Sequence, residues 1–140
     1  PPPPLFPSRR RHTRLPTRSR GLGDVYKRQA YFWQKSVKDA QGHLPGCLFG
    51  NLALEVSTQD DILRAKLTAV FTHAKSRFQD TLDEAVEQGA IPALDSDATA
   101  EAMLAYLEGM ILIAKAKNDA EVIYRLGPAL KTIRIETSSH

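Results

Sequence analysis

Apolar residues in the second half of the chain recur at steps of three and four. Leu63, Leu67, Val70, Ala74, Phe78, Leu82 and Ala85 form one sustained stripe, the spacing that gathers side chains on a single face of an α-helix. Thr58, with Asp61 three residues on, makes a variant capping box, and Gly89 punctuates the far end; a helix is predicted between them. A second helix is predicted to Lys117, capped by Asp95 or Ser96. Its apolar set (Met103, Leu104, Leu107, Met110, Ile111, Ile113, Ala114) is wider than one neighbour can cover, so burial on two sides is expected.

The remaining segments are read in the same way. From Cys47 to Val56, "CLFGNLALEV" is apolar almost all round, which predicts a helix buried on several sides, with Asn51 in need of a polar partner. "AYFWQKSVKDAQ", Ala30 to Gln41, reads as the end of a helix with Tyr31, Phe32, Trp33 and Val37 on its apolar side, broken by "GHLPG". After Asn118 and Asp119, "AEVIYRLGPALKTIRI" sets Ile123, Leu126, Leu130 and Ile133 on one face. A kink or break is expected at Gly127 and Pro128, since a proline inside a helix removes a hydrogen bond and crowds the preceding turn. Strand alternation is absent and no internal repeat is found. The longest greasy run, Gly109 to Ala114, falls far short of the roughly 18 residues that span a bilayer, and no membrane partner is expected. The class is all-α, a bundle of about five helices.

Composition first points elsewhere. The 140 residues carry a formal charge of +3, which alone would suggest an anionic partner. The basic excess, however, sits in residues 1–29, where Arg9, Arg10, Arg11, Arg14, Arg18, Arg20, Lys27 and Arg28 face the single acid Asp24. Residues 30–140 keep 11 of the 19 basic and 15 of the 16 acidic residues, a net charge of −4. Six of the nine prolines also lie in residues 1–29. "SRGLGDVYKRQ", Ser19 to Gln29, back-translates in one frame to a sequence that resembles a transposase-type sequencing adaptor ending in its mosaic end. "SRRRHTR", Ser8 to Arg14, back-translates in the same frame to what resembles the flow-cell primer that precedes a sample index. The competing readings of this segment are a nucleic-acid-binding arm or a targeting segment. A secretory signal would need an apolar run that is missing, and the prolines disfavour the amphipathic helix of a transit peptide. Residues 1–29 are therefore expected to be non-native and disordered, with the authentic protein starting near Ala30 and its own N-terminus missing.

"GCLFGNLALEVS" and "AMLAYLEGMILIAKAKND" carry a family likeness, most of all at Gly46, Cys47, Leu48, Asn51, Leu52 and Glu55, and at Leu107, Glu108, Gly109, Ala114 and Lys115. In the order and spacing of these residues, from about Gly42 to Ile135, the chain resembles the ligand-binding C-terminal domain of the TetR/AcrR family of bacterial transcriptional regulators. The resemblance implies a homodimer formed by the last two helices and a small-molecule effector held among the central ones. It also implies a helix-turn-helix head upstream, absent here, through which alone operator DNA would be bound. No cofactor is implied, and the setting is cytoplasmic.

Under that resemblance the pocket candidates are Trp33, Cys47, Asn51, Phe71, His73, Phe78, Met103 and Tyr106. The dimer candidates are Leu104, Leu107, Gly109, Ile111, Ile123, Leu126 and Leu130, with Ala105 and Gly109 small enough to let two helices approach. Each has a plainer reading. Cys47, the single cysteine, is either a small buried hydrophobe or a thiol whose pKa the helix N-terminus lowers, a redox or electrophile sensor. Asn51 either bonds a neighbouring carbonyl or orients a ligand. His73 is either solvated or a pocket donor, and Phe71, Phe78, Met103 and Tyr106 serve equally as core. His43, His73 and His140 lack metal-ligand spacing, so no metal site is expected. No nucleophile elbow, phosphate loop or HExxH run is present, and an enzyme is not expected. The leading alternative is a helical protein–protein interaction module without a ligand.

Overall fold

A computed structural model describes residues 27–35 and 42–137, which contain helix, turns and extended loop but no strand. Residues 27–35 form α1; α2 then spans Leu48–Val56, α3 Asp61–Glu87, α4 Ser96–Lys117 and α5 Glu121–Leu126, and a 3-10 helix covers Gly127–Thr132. Residues 1–26 of the adaptor-like segment, Val37 and His140 lie outside the described residues; Lys27, Arg28 and Gln29, counted with that segment above, are helical and run on into Ala30. Among the described residues no helix is long and apolar enough to cross a membrane.

The helix ends follow from which side chains can satisfy orphan backbone groups. Asp60 caps α3, its Oδ1 accepting from the amides of Ile62 at 2.8 Å and Leu63 at 2.9 Å. Thr58, expected in that role, lies in a turn instead, because the amides of Gln59 and Asp60 both still bond back to the Val56 carbonyl. Asp95 caps α4 by accepting from the Ala98 amide at 2.9 Å. At the other end Asn118 takes a left-handed conformation (φ 51°), which Asn adopts more readily than most residues other than glycine. α5 stops at Leu126 and the chain tightens into the 3-10 helix with Pro128 in its first turn, the break expected there.

α4 is the central element, packed on α3, on α5 and on the 3-10 helix. Phe78 of α3 meets Ala100, Met103, Leu107, Met110 and Ile111 of α4, together with Leu130. A second cluster joins Leu44 and Ala114 to Ala120, Val122 and Ile123, with Ala30 and Tyr31 against it. Burying a large apolar side chain of this kind stabilises by about 1.5–3 kcal/mol, so these two clusters carry the fold.

Two expectations need correction. α2 has no buried residue; Leu54 is 79% and Leu48 58% exposed. The helix lies at the edge of the bundle against α3, and an all-round apolar sequence cannot bury faces that no neighbour covers. α4 leaves Leu112 54% and Ile113 42% exposed, the side that the resemblance assigns to a dimer partner. Leu63 is exposed because residues 61–66, the first turns of α3, project past the core.

The loop from Gly42 to Cys47, which aims α2, is held from both sides. Gln34, wholly buried on α1, accepts from the Gly46 amide at 3.1 Å and donates to the Gly46 carbonyl at 3.0 Å. Asn118 accepts from the Leu44 amide at 2.8 Å and donates to the Gly42 carbonyl at 3.3 Å. Losing the Gln34 amide would strand the buried amide and carbonyl of Gly46, at about 1–3 kcal/mol for each.

Candidate functional site

A cavity of about 230 Å³ opens between the start of α2, the middle of α3 and the second half of α4. Asn51 and Leu54 line it from α2, Phe71 from α3, and Ile111 and Leu112 from α4. Four polar groups converge on this mostly apolar wall: the Cys47 thiol, the Glu108 carboxyl, the Asn51 amide and the Lys115 ammonium. Convergence of a few polar groups on an apolar concavity is the usual form of a small-molecule site.

Two glycines make the arrangement possible. A Cβ on Gly50 would stand 2.8 Å from Glu108 Oε2, and a Cβ on Gly46 would stand 2.7 Å from Lys115 Cδ. Gly46 also has a positive φ of 76°, a conformation that only glycine adopts without cost. The glycines thus open two slots beside Cys47 through which α4 side chains reach the cavity. Glu108 and Lys115 are seven residues apart, two helical turns, and so share one face of α4.

The polar contacts differ in kind at the two ends. Lys115 Nζ donates to Asn51 Oδ1 at 3.2 Å, and Asn51 Nδ2 donates to the Pro45 carbonyl at 3.0 Å. Asn51 therefore bonds a nearby carbonyl, the plainer of its two readings, from a position on the cavity wall. Glu108 is half-buried with the Cys47 thiol as its partner, and burial pushes its carboxyl above the ordinary carboxylate range. Cys47 itself caps α2, its Sγ accepting from the Gly50 amide at 3.4 Å. Burial raises its pKa from an ordinary value near 9; the Gly50 amide opposes the shift and the neighbouring Glu108 adds to it. The lowering expected from the helix N-terminus is outweighed, because desolvation and an adjacent carboxylate both disfavour the thiolate. Burial and the neighbouring carboxyl thus work against the thiolate form of Cys47.

Of the pocket candidates, the structure brings Cys47, Asn51 and Phe71 together at this cavity. Trp33 lies elsewhere, with Phe32 over a second depression that reaches Ile111. His73 is exposed on α3. Phe78 and Met103 are core, and Tyr106 is turned to donate to the Leu126 carbonyl at 2.9 Å.

Among the dimer candidates, Gly109 and Ile111 line the cavity. Ile123 and Leu130 are wholly buried and Leu107 nearly so, while Leu104 and Leu126 pack against the same core. Ile123 and Leu130 therefore offer no surface to a partner: the short α5 and the 3-10 helix turn that apolar face inward to close the protomer's own bundle. Glu108, Lys115, Gly46 and Gly50 were not expected at a pocket. The signal available for the first pair was their spacing of seven, and for the second a pair of glycines four apart in an otherwise greasy helix start.

The tetracyclin repressor-like, C-terminal domain family matches residues 30–130, which takes in α1 from Ala30, both walls of the cavity and the core up to Leu130. The chain belongs to this family. A relative, the HTH-type transcriptional repressor DhaR of Mycobacterium sp. (strain GP1), is 34% identical over 77 residues, covering 54% of this chain and 39% of its own length. The chain thus matches well under half of that relative. No solved structure matches the chain significantly. The family match begins at Ala30, the residue at which the adaptor-like sequence gives way.

Proposed function

We propose that this chain is the effector-binding and dimerisation domain of a TetR-family transcriptional repressor acting in the bacterial cytoplasm. A small molecule entering the cavity shifts α2 and α4, and this changes the spacing of helix-turn-helix heads that precede the domain in the complete protein. Such control is a population shift between two dimer geometries, driven by the ligand's differential affinity for them. The family match over residues 30–130 is the observation that carries the reading. The relative's name, a transcriptional repressor, supports a regulator rather than an enzyme, and the mixed polar and apolar cavity supports an effector. Residues 1–29 are read as adaptor-derived and take no part. With a net charge of −4 in residues 30–140, this domain is not expected to hold DNA by itself. The test is a DNA-binding assay on the complete gene product with its upstream region as probe, repeated with candidate effectors. Specific binding that an effector weakens is expected; indifference to all DNA would sink the proposal.

A further inference from the structure

Glu108 is the group in the cavity whose needs the protein leaves least satisfied. Its carboxyl is drawn beside an apolar wall through the slot that Gly50 leaves open, and its partner there is a neutral thiol. Among the described residues no ion pair to Glu108 is formed, whereas Lys115 is exposed and hydrogen-bonded to Asn51. A half-buried carboxylate without a counter-ion gains more from a cation than from any neutral group, because the protein has already stripped part of its hydration. Phe71 lines the same cavity, and an aromatic ring beside a carboxylate is the combination that recognises ammonium groups. An anion, by contrast, would have to sit beside Glu108, with only a solvated Lys115 to offset the repulsion.

Size limits the class further. A cavity of roughly 150 Å³ holds benzene, so about 230 Å³ accommodates one ring with a short chain, or an aliphatic body of similar bulk.

We propose, resting on the effector-binding reading above, that the cavity takes a small organic cation: a protonated amine against Glu108, with its apolar body among Leu54, Phe71, Ile111 and Leu112. Glu108 sets the charge preference, and Gly50 is the positioning residue that lets the carboxylate reach the ligand.

Three probes of similar shape test this on the 140-residue chain: phenethylammonium, 2-phenylethanol and 3-phenylpropionate. Amide-shift titration by NMR localises each at Gly50, Gly109 and Leu112. Phenethylammonium is expected to bind at least about tenfold more tightly than the other two, the increment of one charge-assisted contact. Glu108→Gln is expected to abolish that preference while leaving 2-phenylethanol unchanged. Gly50→Ala, whose new Cβ would push aside the mobile end of Glu108 rather than backbone, is expected to weaken the cation alone, with thermal stability kept. Equal or tighter binding of the alcohol or the propionate at these residues overturns the cation assignment and leaves the effector pocket standing. A preference that survives Glu108→Gln also overturns it. Failure of all three probes to bind overturns it too, and the effector reading is then decided separately by the DNA-binding assay.

Discussion

Glu108 carries opposite consequences for stability and for recognition. Burial raises its pKa above the unfolded value, so the folded state holds the proton more tightly than the unfolded one. Stability therefore rises as pH falls through the folded pKa, and the ionised form subtracts stability at every pH above it. Glu108→Gln, which mimics the neutral acid, is expected to melt higher than the parent at pH 8, with the gap narrowing on titration towards pH 4. Thermal melts at several pH values check this, and a variant less stable than the parent at pH 8 would contradict the account. The sequence held Glu108 in plain view within a recognised motif, yet gave no reason to place it in a cavity. That reason is spatial, since it needs Gly50 of α2 to lie opposite α4. Cys47 and Asn51 were legible because a lone cysteine and a lone amide stand out in a greasy run. Gln34 was not, because a glutamine on a helix reads as solvated until a loop folds over it.

At the level of elements, periodicity located α3 and α4 well, since a stripe of seven apolar positions and a broad apolar helix leave little choice of structure. Boundaries were less legible where two capping residues compete. Thr58 and Asp60 both precede the first turn of α3, and which one caps depends on where the turn after α2 releases the chain. Asp60→Ala is expected to cost about 1 kcal/mol and lower the melting temperature by several degrees, while Thr58→Val stays within about 0.5 kcal/mol. Calorimetry of the two variants distinguishes the caps, and equal losses would refute the assignment to Asp60. The misreading of α2 has a different cause. Hydrophobicity records what a helix could bury, whereas burial depends on whether a neighbour is present, and at the edge of the bundle α2 has α3 and a few long side chains of α4 on one side only.

For the whole molecule, the outer flank of α4 is the surface that most needs an explanation. Ala105, Leu112, Ile113 and Ala116 are exposed there, with Gly109 between them, and a Cβ on Gly109 would meet nothing within 4 Å. A stripe of small and apolar residues on one helix is what an isologous dimer contact uses to bring two backbones close. This is the part of the dimer proposal that the fold supports, with Ile113 taking the place that Ile123 and Leu130 were expected to fill. Ile113→Glu is expected to weaken dimerisation by about 2–5 kcal/mol, turning a sedimenting dimer into a monomer at micromolar concentration. Its melting temperature extrapolated to low concentration should barely change, because the side chain lies outside both core clusters. A parent chain that sediments as a monomer would count against the proposal.

By itself the sequence determined the all-α class, the two long helices, the break at Pro128 and the division between a basic, proline-rich start and a mildly acidic domain. It could do so because each is written locally, in spacing, capping chemistry, backbone restriction or charge. Only the tertiary structure decided which apolar residues were core and which were left outside, and which polar residues met. Ile123 and Leu130 went inside because α5 folds back on α4; Leu54 and Ile113 stayed outside because nothing among the described residues covers them. Glu108, Cys47 and Lys115 came together because Gly46 in the loop before α2 and Gly50 within it leave room for the side chains of α4. Local pattern fixes what a residue can do, and the packing of distant segments selects which of those possibilities is used.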